Sequence, residues 1–333
     1  MKTGNSKKSK IVGFALCAML FALCFSTEAQ QPAKIPRIGF QFYSPFSALA
    51  ARVEGFRQGL RELGYVEGKN IIIEWRSAEG KPERRNEIAA DWARRKVDII
   101  VTGGPTTTRA VKEVTARIPI VMALDNDPVG NGFVASLARP GGNITGLSTL
   151  APEISGKQLE LLKEVVPRLS RVAVLASSTV PGSAQVSKEV ERAAEALAVQ
   201  LQYLEVRDPK DIETAFRAAG KGRADSLLVL TSPDVNPYRK QIVDLAAKSR
   251  LPAMYYTAEY VEEGGLMTYS VSITDLFRRA ATYVDKILKG TKPADLPVEQ
   301  PKKFEFIINL KAAKQIGLII PPNVLARADR VIK

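Results

Sequence analysis

The absence of histidine and the small number of cysteines exclude most forms of nucleophilic and metal-dependent chemistry for this chain. Its 333 residues contain no histidine and two cysteines, Cys17 and Cys24. Both precede Ala29, after which we predict that a signal peptide is removed, so the exported protein would have neither thiols nor imidazoles. This excludes a disulfide framework, a Cys/His zinc site, a Ser-His-Asp triad and a thiolate nucleophile. Catalysis by carboxylate, lysine or tyrosine side chains stays possible, as does a protein without catalysis.

Residues 1–29 have the features of a secretory signal peptide. Lysines near the N-terminus are followed by the apolar run Ile11–Phe25 and then by Thr27-Glu28-Ala29, a cleavage site with small residues at both ends. The run is shorter than the roughly twenty residues that cross a bilayer. Cys17 and Cys24 each follow a leucine, which disfavours lipid attachment. We therefore expect a periplasmic protein that is released after Ala29 without a lipid anchor.

The positive charge of the chain does not indicate a nucleic-acid partner. The formal net charge is +13 and falls to +10 when the signal peptide, with four lysines and one glutamate, is removed. Such a balance is compatible with binding to nucleic acid or anionic lipid. However, the basic residues are interspersed with Asp and Glu, and the sequence has no stripe of basic and aromatic residues that would stack bases. We expect a solvated basic surface and no nucleic-acid binding.

Two successive series of short β-branched segments and helix-length amphipathic segments indicate the fold class. The first series runs from Arg37–Phe42 to Pro119–Ala123, and the second runs from Arg171–Ala176 to Pro252–Tyr256. Alternation of this kind predicts an α/β fold with parallel sheets. About 300 mature residues exceed one typical domain. The sequence therefore predicts two doubly wound parallel-sheet lobes of similar architecture.

Candidate ligand contacts lie in the loops that follow the predicted strands. In open parallel α/β sheets, ligands bind beyond the carboxyl ends of the strands, and two such edges facing each other would form a cleft. Polar groups at a few points of an apolar or aromatic cleft are what a small-molecule site needs. The predicted ligand-binding residues are Gln41, Tyr43, Ser44, Gly104, Thr106, Thr107, Asp127, Ser177, Ser178, Asp234, Tyr255 and Glu259.

The segment Gly103–Thr108 has the features of an anion site at the start of a helix. Free amides at a helix N-terminus favour negative charge, and three threonines add hydroxyl donors, so a substrate carboxylate would fit here. An ordinary threonine cap on a packed helix is an equal alternative. A phosphate loop is excluded, because the Gly-Lys-Ser/Thr ending is missing.

The acidic and aromatic candidates each have a structural alternative. Asp127 follows a predicted strand and could receive a ligand ammonium group or cap the helix that follows; Asp125 is a weaker candidate for the same role. Asp234 and Glu259 could instead be helix caps or solvated charges. Tyrosines near strand ends, such as Tyr255, belong to the core more often than to ligand sites.

Several segments resemble one known family. Asp127–Ser148 reads DPVGNGFVASLARPGGNITGLS, Glu263–Leu266 reads EGGL, Gly55–Leu60 reads GFRQGL and Ile316–Pro321 reads IGLIIP. Together they resemble the ABC transporter substrate-binding proteins of the tryptophan/tyrosine type, over nearly all of the mature chain. The resemblance implies a type I periplasmic-binding-protein fold, in which two lobes are joined by a three-crossover hinge and a ligand is captured by hinge closure.

The resemblance also implies a division of the chain and a function. We expect an N-terminal lobe of residues 36–145 plus 268–302 and a C-terminal lobe of residues 146–267 plus 303–333. The expected function is the periplasmic substrate-binding component of an ABC importer, with an amino acid-like or carboxylate ligand. Its partners would be that small molecule and an ABC permease in the inner membrane. No cofactor, metal or catalytic residue is expected.

Two other classes of function stay open from the sequence. An exported enzyme could act on a small molecule in the same cleft with Asp127, Asp234 or Glu259, although no paired-carboxylate or Lys-Tyr spacing supports this. A sensor that reports ligand occupancy to a membrane receptor would use the same fold.

Overall fold

The computed structural model describes residues 34–95 and 97–333. Pro36–Lys333 form one compact unit, and of the other unit, Met1–Ile35, only Lys34 and Ile35 are described. The predicted signal peptide, with both cysteines, lies outside the described residues, so its cleavage stays a prediction.

A parallel sheet with strand order β2-β1-β3-β4-β5 is formed by the first half of the described chain. Strands β3, β4 and β5 are buried along their whole length, as expected for a parallel sheet that is covered on both faces. Its elements are β1 (Arg37–Phe42), α1 (Ala50–Glu62), β2 (Ile72–Ser77), α2 (Pro82–Arg95), β3 (Ile99–Thr102), α3 (Pro105–Val114), β4 (Ile120–Asp125) and β5 (Ile144–Ser148).

A second sheet has the strand order β12-β11-β10-β9-β8-β6-β7, and its pairing is parallel except between β10 and β11. The predicted α/β class with two mainly parallel sheets is confirmed. The elements of this half are α4 (Ala151–Val165), β6 (Arg171–Ala176), α5 (Ser183–Ala196), β7 (Gln200–Glu205), α6 (Pro209–Lys221), β8 (Ser226–Val229), α7 (Arg239–Lys248), β9 (Ala253–Tyr255), α8 (Ala258–Glu262), β10 (Met267–Ser270), α9 (Ile273–Leu288), β11 (Glu305–Asn309), α10 (Leu310–Ile316), α11 (Pro322–Leu325) and β12 (Arg330–Ile332).

The chain passes between the two sheets three times. It leaves the five-stranded sheet after β5, returns to it with α9, and crosses again before β11. The predicted lobe boundaries stay a prediction; residue 268, the expected start of the returning segment, lies within β10 of the seven-stranded sheet.

Helix α9 packs against α1 at unusually close range. A Cβ atom built on Gly59 would lie 2.0 Å from the carbonyl oxygen of Arg278, and one on Gly55 would lie 2.7 Å from that of Thr274. Phe277 of α9 is fully buried with Phe40 of β1 in the same core. The glycines of the GFRQGL segment therefore permit the contact that joins the returning helix to the first sheet.

Candidate functional site

A cavity lies between the carboxyl ends of the two sheets. Its wall includes residues that directly follow β1, β3, β4 and β5 on one side and β9 and β10 on the other. It encloses about 880 Å³ of empty space, part of which is open to solvent. This is the position at which open parallel α/β sheets bind ligands.

The cavity wall is mostly apolar. Polar side chains are placed among these groups at separate points, as in most small-molecule sites. The large aliphatic and aromatic side chains of the wall are Phe42, Tyr43, Leu49, Leu124, Ile154, Val180, Tyr256, Val271 and Ile273.

The N-terminus of α3 forms one part of the wall. Gly103 is required here because a Cβ atom at this position would lie 2.5 Å from the ring of Phe42. The hydroxyl of Thr107 donates to the carbonyl oxygen of Gly104 at 2.8 Å. The Thr106 hydroxyl is buried and has no hydrogen-bond partner among the residues that the structure describes. Thr106 thus offers a free hydroxyl next to the positive end of a helix.

The loop after β1 contacts the opposite side of the cleft. Ser44 Oγ donates to the carbonyl oxygen of Pro233 at 3.0 Å, and the Tyr43 hydroxyl donates to the carbonyl oxygen of Gly80 at 2.8 Å. Burial and the nearby Asp234 carboxylate raise the pKa of Tyr43, so this hydroxyl stays protonated. Burial also raises the pKa of Asp234, and the Tyr43 hydroxyl opposes part of that rise.

An ion pair joins α1 to α8 beside the cavity. Arg52, which lines the cavity and is 9% exposed, donates from Nε to Glu259 Oε1 at 3.1 Å and from Nη2 to Oε2 at 2.7 Å. Burial disfavours the charged guanidinium, but the Glu259 carboxylate outweighs this effect and raises the pKa of Arg52. The two charges therefore satisfy each other in a bidentate arrangement.

The seven-stranded side presents acceptors and hydroxyls in fixed positions. Gln158 Nε2 donates to the carbonyl oxygens of Tyr269 at 2.8 Å and Tyr255 at 3.4 Å. Its Oε1 atom, like the hydroxyl of Thr257, is buried without a hydrogen-bond partner in the described part of the chain. The Tyr256 hydroxyl donates to Asn236 Oδ1 at 2.8 Å.

Five of the twelve residues that the sequence predicts as ligand contacts line the cavity: Tyr43, Ser44, Gly104, Thr106 and Thr107. The other seven are not part of its wall. Glu259 is held one step away by Arg52, and Asp234 lies beside Tyr43.

Gln41 and Tyr255 are core residues in this structure. Gln41 is fully buried, and its Nε2 donates to the carbonyl oxygen of Arg85 at 2.7 Å. Tyr255 is 1% exposed and stacks on Tyr260 with ring centroids 4.9 Å apart. The next residue, Tyr256, directly follows β9 and lines the cavity; its ring also contacts Tyr260, with centroids 5.4 Å apart.

The remaining predicted contacts bind other protein groups in the loops that follow β4 and β6. Asp127 Oδ1 accepts from the Gly130 amide at 2.8 Å and so caps a turn; the predicted helix after Asp127 is wrong, because the described residues between β4 and β5 form no helix. The Ser178 hydroxyl donates to Glu205 at 2.9 Å. Ser177 and Thr179 share a hydrogen bond of 2.9 Å between their hydroxyls.

Several residues of the wall were not predicted. Asn126 and Thr149 directly follow β4 and β5, so the rule that ligands bind at strand carboxyl ends could have identified them. Gln158 lies inside α4, and Arg52 depends on a partner 207 residues away in sequence. No local sequence pattern identifies Gln158 or Arg52 as a residue of the cavity wall.

Asp125 supports the loop that carries Asn126. It is fully buried, and its Oδ1 accepts from the Asp127 amide at 3.0 Å and from Asn131 Nδ2 at 2.9 Å. Burial raises the pKa of this carboxyl to about 7, and the two hydrogen bonds oppose the rise.

Among residues 34–95 and 97–333, no three acidic, Cys or His residues are grouped so that they could hold a metal ion. Within the same residues, no helix has the length and apolar character needed to cross a membrane.

The fold and the interlobe cavity define a ligand-binding protein of the periplasmic type I class, and comparison with known proteins specifies the family. Residues 43–332 match the family model described as ABC transporter substrate binding protein. The chain belongs to this family.

Named relatives and solved structures are similar over most of the chain. A tyrosine-binding protein of Clostridioides difficile (strain R20291) is 25% identical over 285 residues, which cover 86% of this chain and 82% of the relative. The crystal structure of a conserved domain protein from Vibrio cholerae has a TM-score of 0.85 at 28% identity, covering 90% of this chain and all of that one. A Streptococcus pneumoniae ABC domain in complex with L-Trp has a TM-score of 0.83 at 26% identity, covering 89% and 99%.

Proposed function

We propose that this chain is the periplasmic substrate-binding component of an ABC importer. It captures a small amino acid-like or carboxylate ligand between its two sheets and releases it to a permease in the inner membrane. The observation that carries the proposal is the cavity whose wall comes from the strand ends of both sheets. The names of the similar proteins, a tyrosine-binding protein and a domain bound to L-Trp, support a ligand of this size and class.

The chemistry of the wall supports a ligand with a carboxylate and an apolar body. The start of α3, with the free hydroxyl of Thr106, suits the carboxylate, because helix N-termini stabilise anions. Side chains such as Leu49, Leu124 and Ile273 suit an aliphatic or aromatic body.

Hinge closure is supported by the contacts that cross the cleft. Ser44 bonds to Pro233, Arg52 pairs with Glu259, and Gln185 Nε2 donates to the carbonyl oxygen of Gly130 at 3.2 Å. Each contact links an element of the five-stranded sheet to one of the seven-stranded sheet. A ligand that touches both walls would favour this closed arrangement, since only differential affinity shifts a conformational equilibrium.

Ligand screening of the exported protein tests this function. The protein would be isolated from the periplasmic fraction, unfolded and refolded to remove bound ligand, and heated with amino acids, small carboxylates, purines and sugars. A ligand at 100 times its Kd should add about 2.7 kcal/mol to the free energy of unfolding. A saturable shift without turnover of the ligand is the expected result. Turnover would favour the enzyme, and recovery only from the cytoplasm would contradict the proposed location.

A further inference from the structure

The charge distribution of the cavity wall is one-sided. Among the described residues that line it, Arg52 is the only charged side chain, and the wall contains no carboxylate. An ammonium group that enters such a site loses its hydration without gaining an anionic partner, which is strongly unfavourable.

Four acidic side chains near the cavity lie outside its wall and contact other groups of the protein. Both oxygens of Glu259 accept from Arg52, at 3.1 and 2.7 Å. Asp127 binds the Gly130 amide, and Asp125 accepts at Oδ1 from the Asp127 amide and from Asn131, while its Oδ2 is buried without a hydrogen-bond partner among the described residues. Asp234, which is outside the wall, faces the hydroxyl of Tyr43. None of these carboxylates belongs to the residues that line the cavity.

Positive helix ends converge on the same space. The N-termini of α3, α4 and α9 contribute Thr106, Ala151 and Ile273 to the wall, and these helices are 10, 15 and 16 residues long. Their dipoles favour a negative group in the cavity and disfavour a positive one.

Two unpartnered polar side chains show what else the ligand must offer. Gln158 and Thr257 are each 1% exposed, line the cavity and keep Gln158 Oε1 and Thr257 Oγ1 without a partner among the described residues. Because Gln158 Nε2 donates to two backbone carbonyls, its Oε1 is fixed as an acceptor. One neutral amide oxygen accepts a hydroxyl or a ring N–H, but it does not neutralise an ammonium group.

We infer that the ligand of this protein is an organic carboxylate with an aliphatic or aromatic body and without an α-ammonium group. A single neutral donor, such as a phenol hydroxyl or an indole N–H, would bind Gln158 Oε1. The inference narrows the ligand class of the proposed function and rests on that function.

Matched ligand pairs test the inference on the refolded exported protein by calorimetric titration. The pairs are 3-(4-hydroxyphenyl)propionate with L-tyrosine, indole-3-propionate with L-tryptophan, and 4-methylpentanoate with L-leucine; tyramine and tryptamine supply the ammonium without the carboxylate. In at least one pair, the acid without the amino group should bind tenfold or more tightly than the amino acid. The two amines should not bind. Equal or tighter binding of the amino acids would overturn the inference and leave the proposed function intact.

The other outcomes separate the two proposals. Saturable binding of a sugar or purine, with no binding in any pair, would overturn this inference but keep ligand capture. No binding by any compound, with the protein folded, would count against both.

Replacement of Thr106 tests where the carboxylate lies. Thr106→Val keeps the shape of the side chain and removes its hydroxyl, so the affinity for the preferred acid should fall about tenfold. Thr214→Val, on the exposed surface of α6, is the matched control and should leave the affinity unchanged. An unchanged affinity in Thr106→Val would overturn the placement of the carboxylate at α3.

Discussion

The two walls of the cleft use different parts of the polypeptide to meet a ligand. The five-stranded wall offers loop residues at the start of α3, where Gly103 allows close packing and Thr106 supplies a hydroxyl. The seven-stranded wall offers side chains such as Gln158 and Thr257, which are fixed by the residues around them. In the function that we propose, the first wall therefore attracts the anionic group of the ligand, and the second wall selects among neutral groups.

The five-stranded wall also has its own buried support in the core. The five-stranded wall depends on a buried carboxyl, Asp125, and on a helix that returns from late in the chain. Changes to Asp125 or to the contact of α9 should therefore destabilise the five-stranded wall, whereas changes at Gln158 should leave that wall intact. The following four predictions separate the two walls, in order of decreasing effect.

Between about pH 4 and pH 7, the ionisation of Asp125 should dominate the pH dependence of the free energy of unfolding. Its pKa in the folded state is raised to about 7 from 3.8. The folded state therefore binds the proton more tightly than the unfolded state, and stability is lost as the pH rises from about 4 to about 7. The loss attributable to this group is up to about 4 kcal/mol.

Comparison of the wild type with Asp125→Asn measures this contribution. Urea unfolding at several pH values should show that the difference between the two proteins changes across the window of pH 4 to 7. Parallel curves over that range would show that Asp125 does not titrate there.

Gly59→Ala should destabilise the five-stranded side. The added Cβ would meet the carbonyl oxygen of Arg278, a backbone atom that cannot turn aside, so we expect a loss of about 3 kcal/mol. Gly220→Ala is the control, because Gly220 lies in α6 with no atom within 4 Å of its added Cβ. It should stabilise the protein by about 0.5–1 kcal/mol through helix propensity. Denaturant midpoints that move equally would contradict the close contact of α1 with α9.

Arg52→Ala should weaken ligand binding by loosening the link between the walls. Removal of the guanidinium leaves Glu259 without its partner across the cleft, so affinity should fall roughly tenfold to thirtyfold, and Arg52→Ala with Glu259→Ala should recover part of this loss. Arg61→Ala on the same helix breaks an exposed pair with Glu54 and should change affinity by less than about twofold. Titration of each variant with the best ligand of the screen gives the comparison. Similar losses for Arg52→Ala and Arg61→Ala would show that the buried pair has no special role.

Gln158→Leu should remove the preference for a ligand with a phenol hydroxyl without abolishing the binding of the carboxylate. The wild type should prefer 3-(4-hydroxyphenyl)propionate over 3-phenylpropionate by about 1 kcal/mol, because the phenol can donate to Gln158 Oε1. In the variant this preference should disappear, whereas 3-phenylpropionate should still bind. Measurement of both acids on each protein cancels any general loss of stability. Retention of the full preference in the variant would assign the phenol to another residue.

The sequence was sufficient for the fold and for part of the site. Short β-branched segments such as Ile99–Thr102 and the repeated strand-helix series led to two mainly parallel sheets, which the structure has. The edge rule for such sheets placed Tyr43, Ser44 and Thr106 correctly around the cavity. Both predictions depend on local sequence patterns: the strand segments themselves and the residues that directly follow them at the carboxyl edge of the sheet.

Physical causes explain why other predicted residues lie outside the cavity wall. Tyr255 and Tyr256 are adjacent in the chain and both contact Tyr260, and the pattern of the sequence did not fix which of the two lines the cleft. Asp127 looked equally suited to a ligand ammonium group and to a helix cap, since both roles use the same carboxylate; in the structure it caps a turn instead. Arg52 and Glu259 meet only through tertiary structure.

The return of α9 to the first sheet determines the order in which the two sheets can complete their cores during synthesis. Phe277 and Ala280, which fill the core beside Phe40, are made only after β6 to β10 of the other sheet have been synthesised. A nascent chain that ends before Ile273 thus lacks a buried layer of the part that was made first. The half that begins the chain is finished last, so the unfinished protein stays open for longer than a chain with two consecutive domains would.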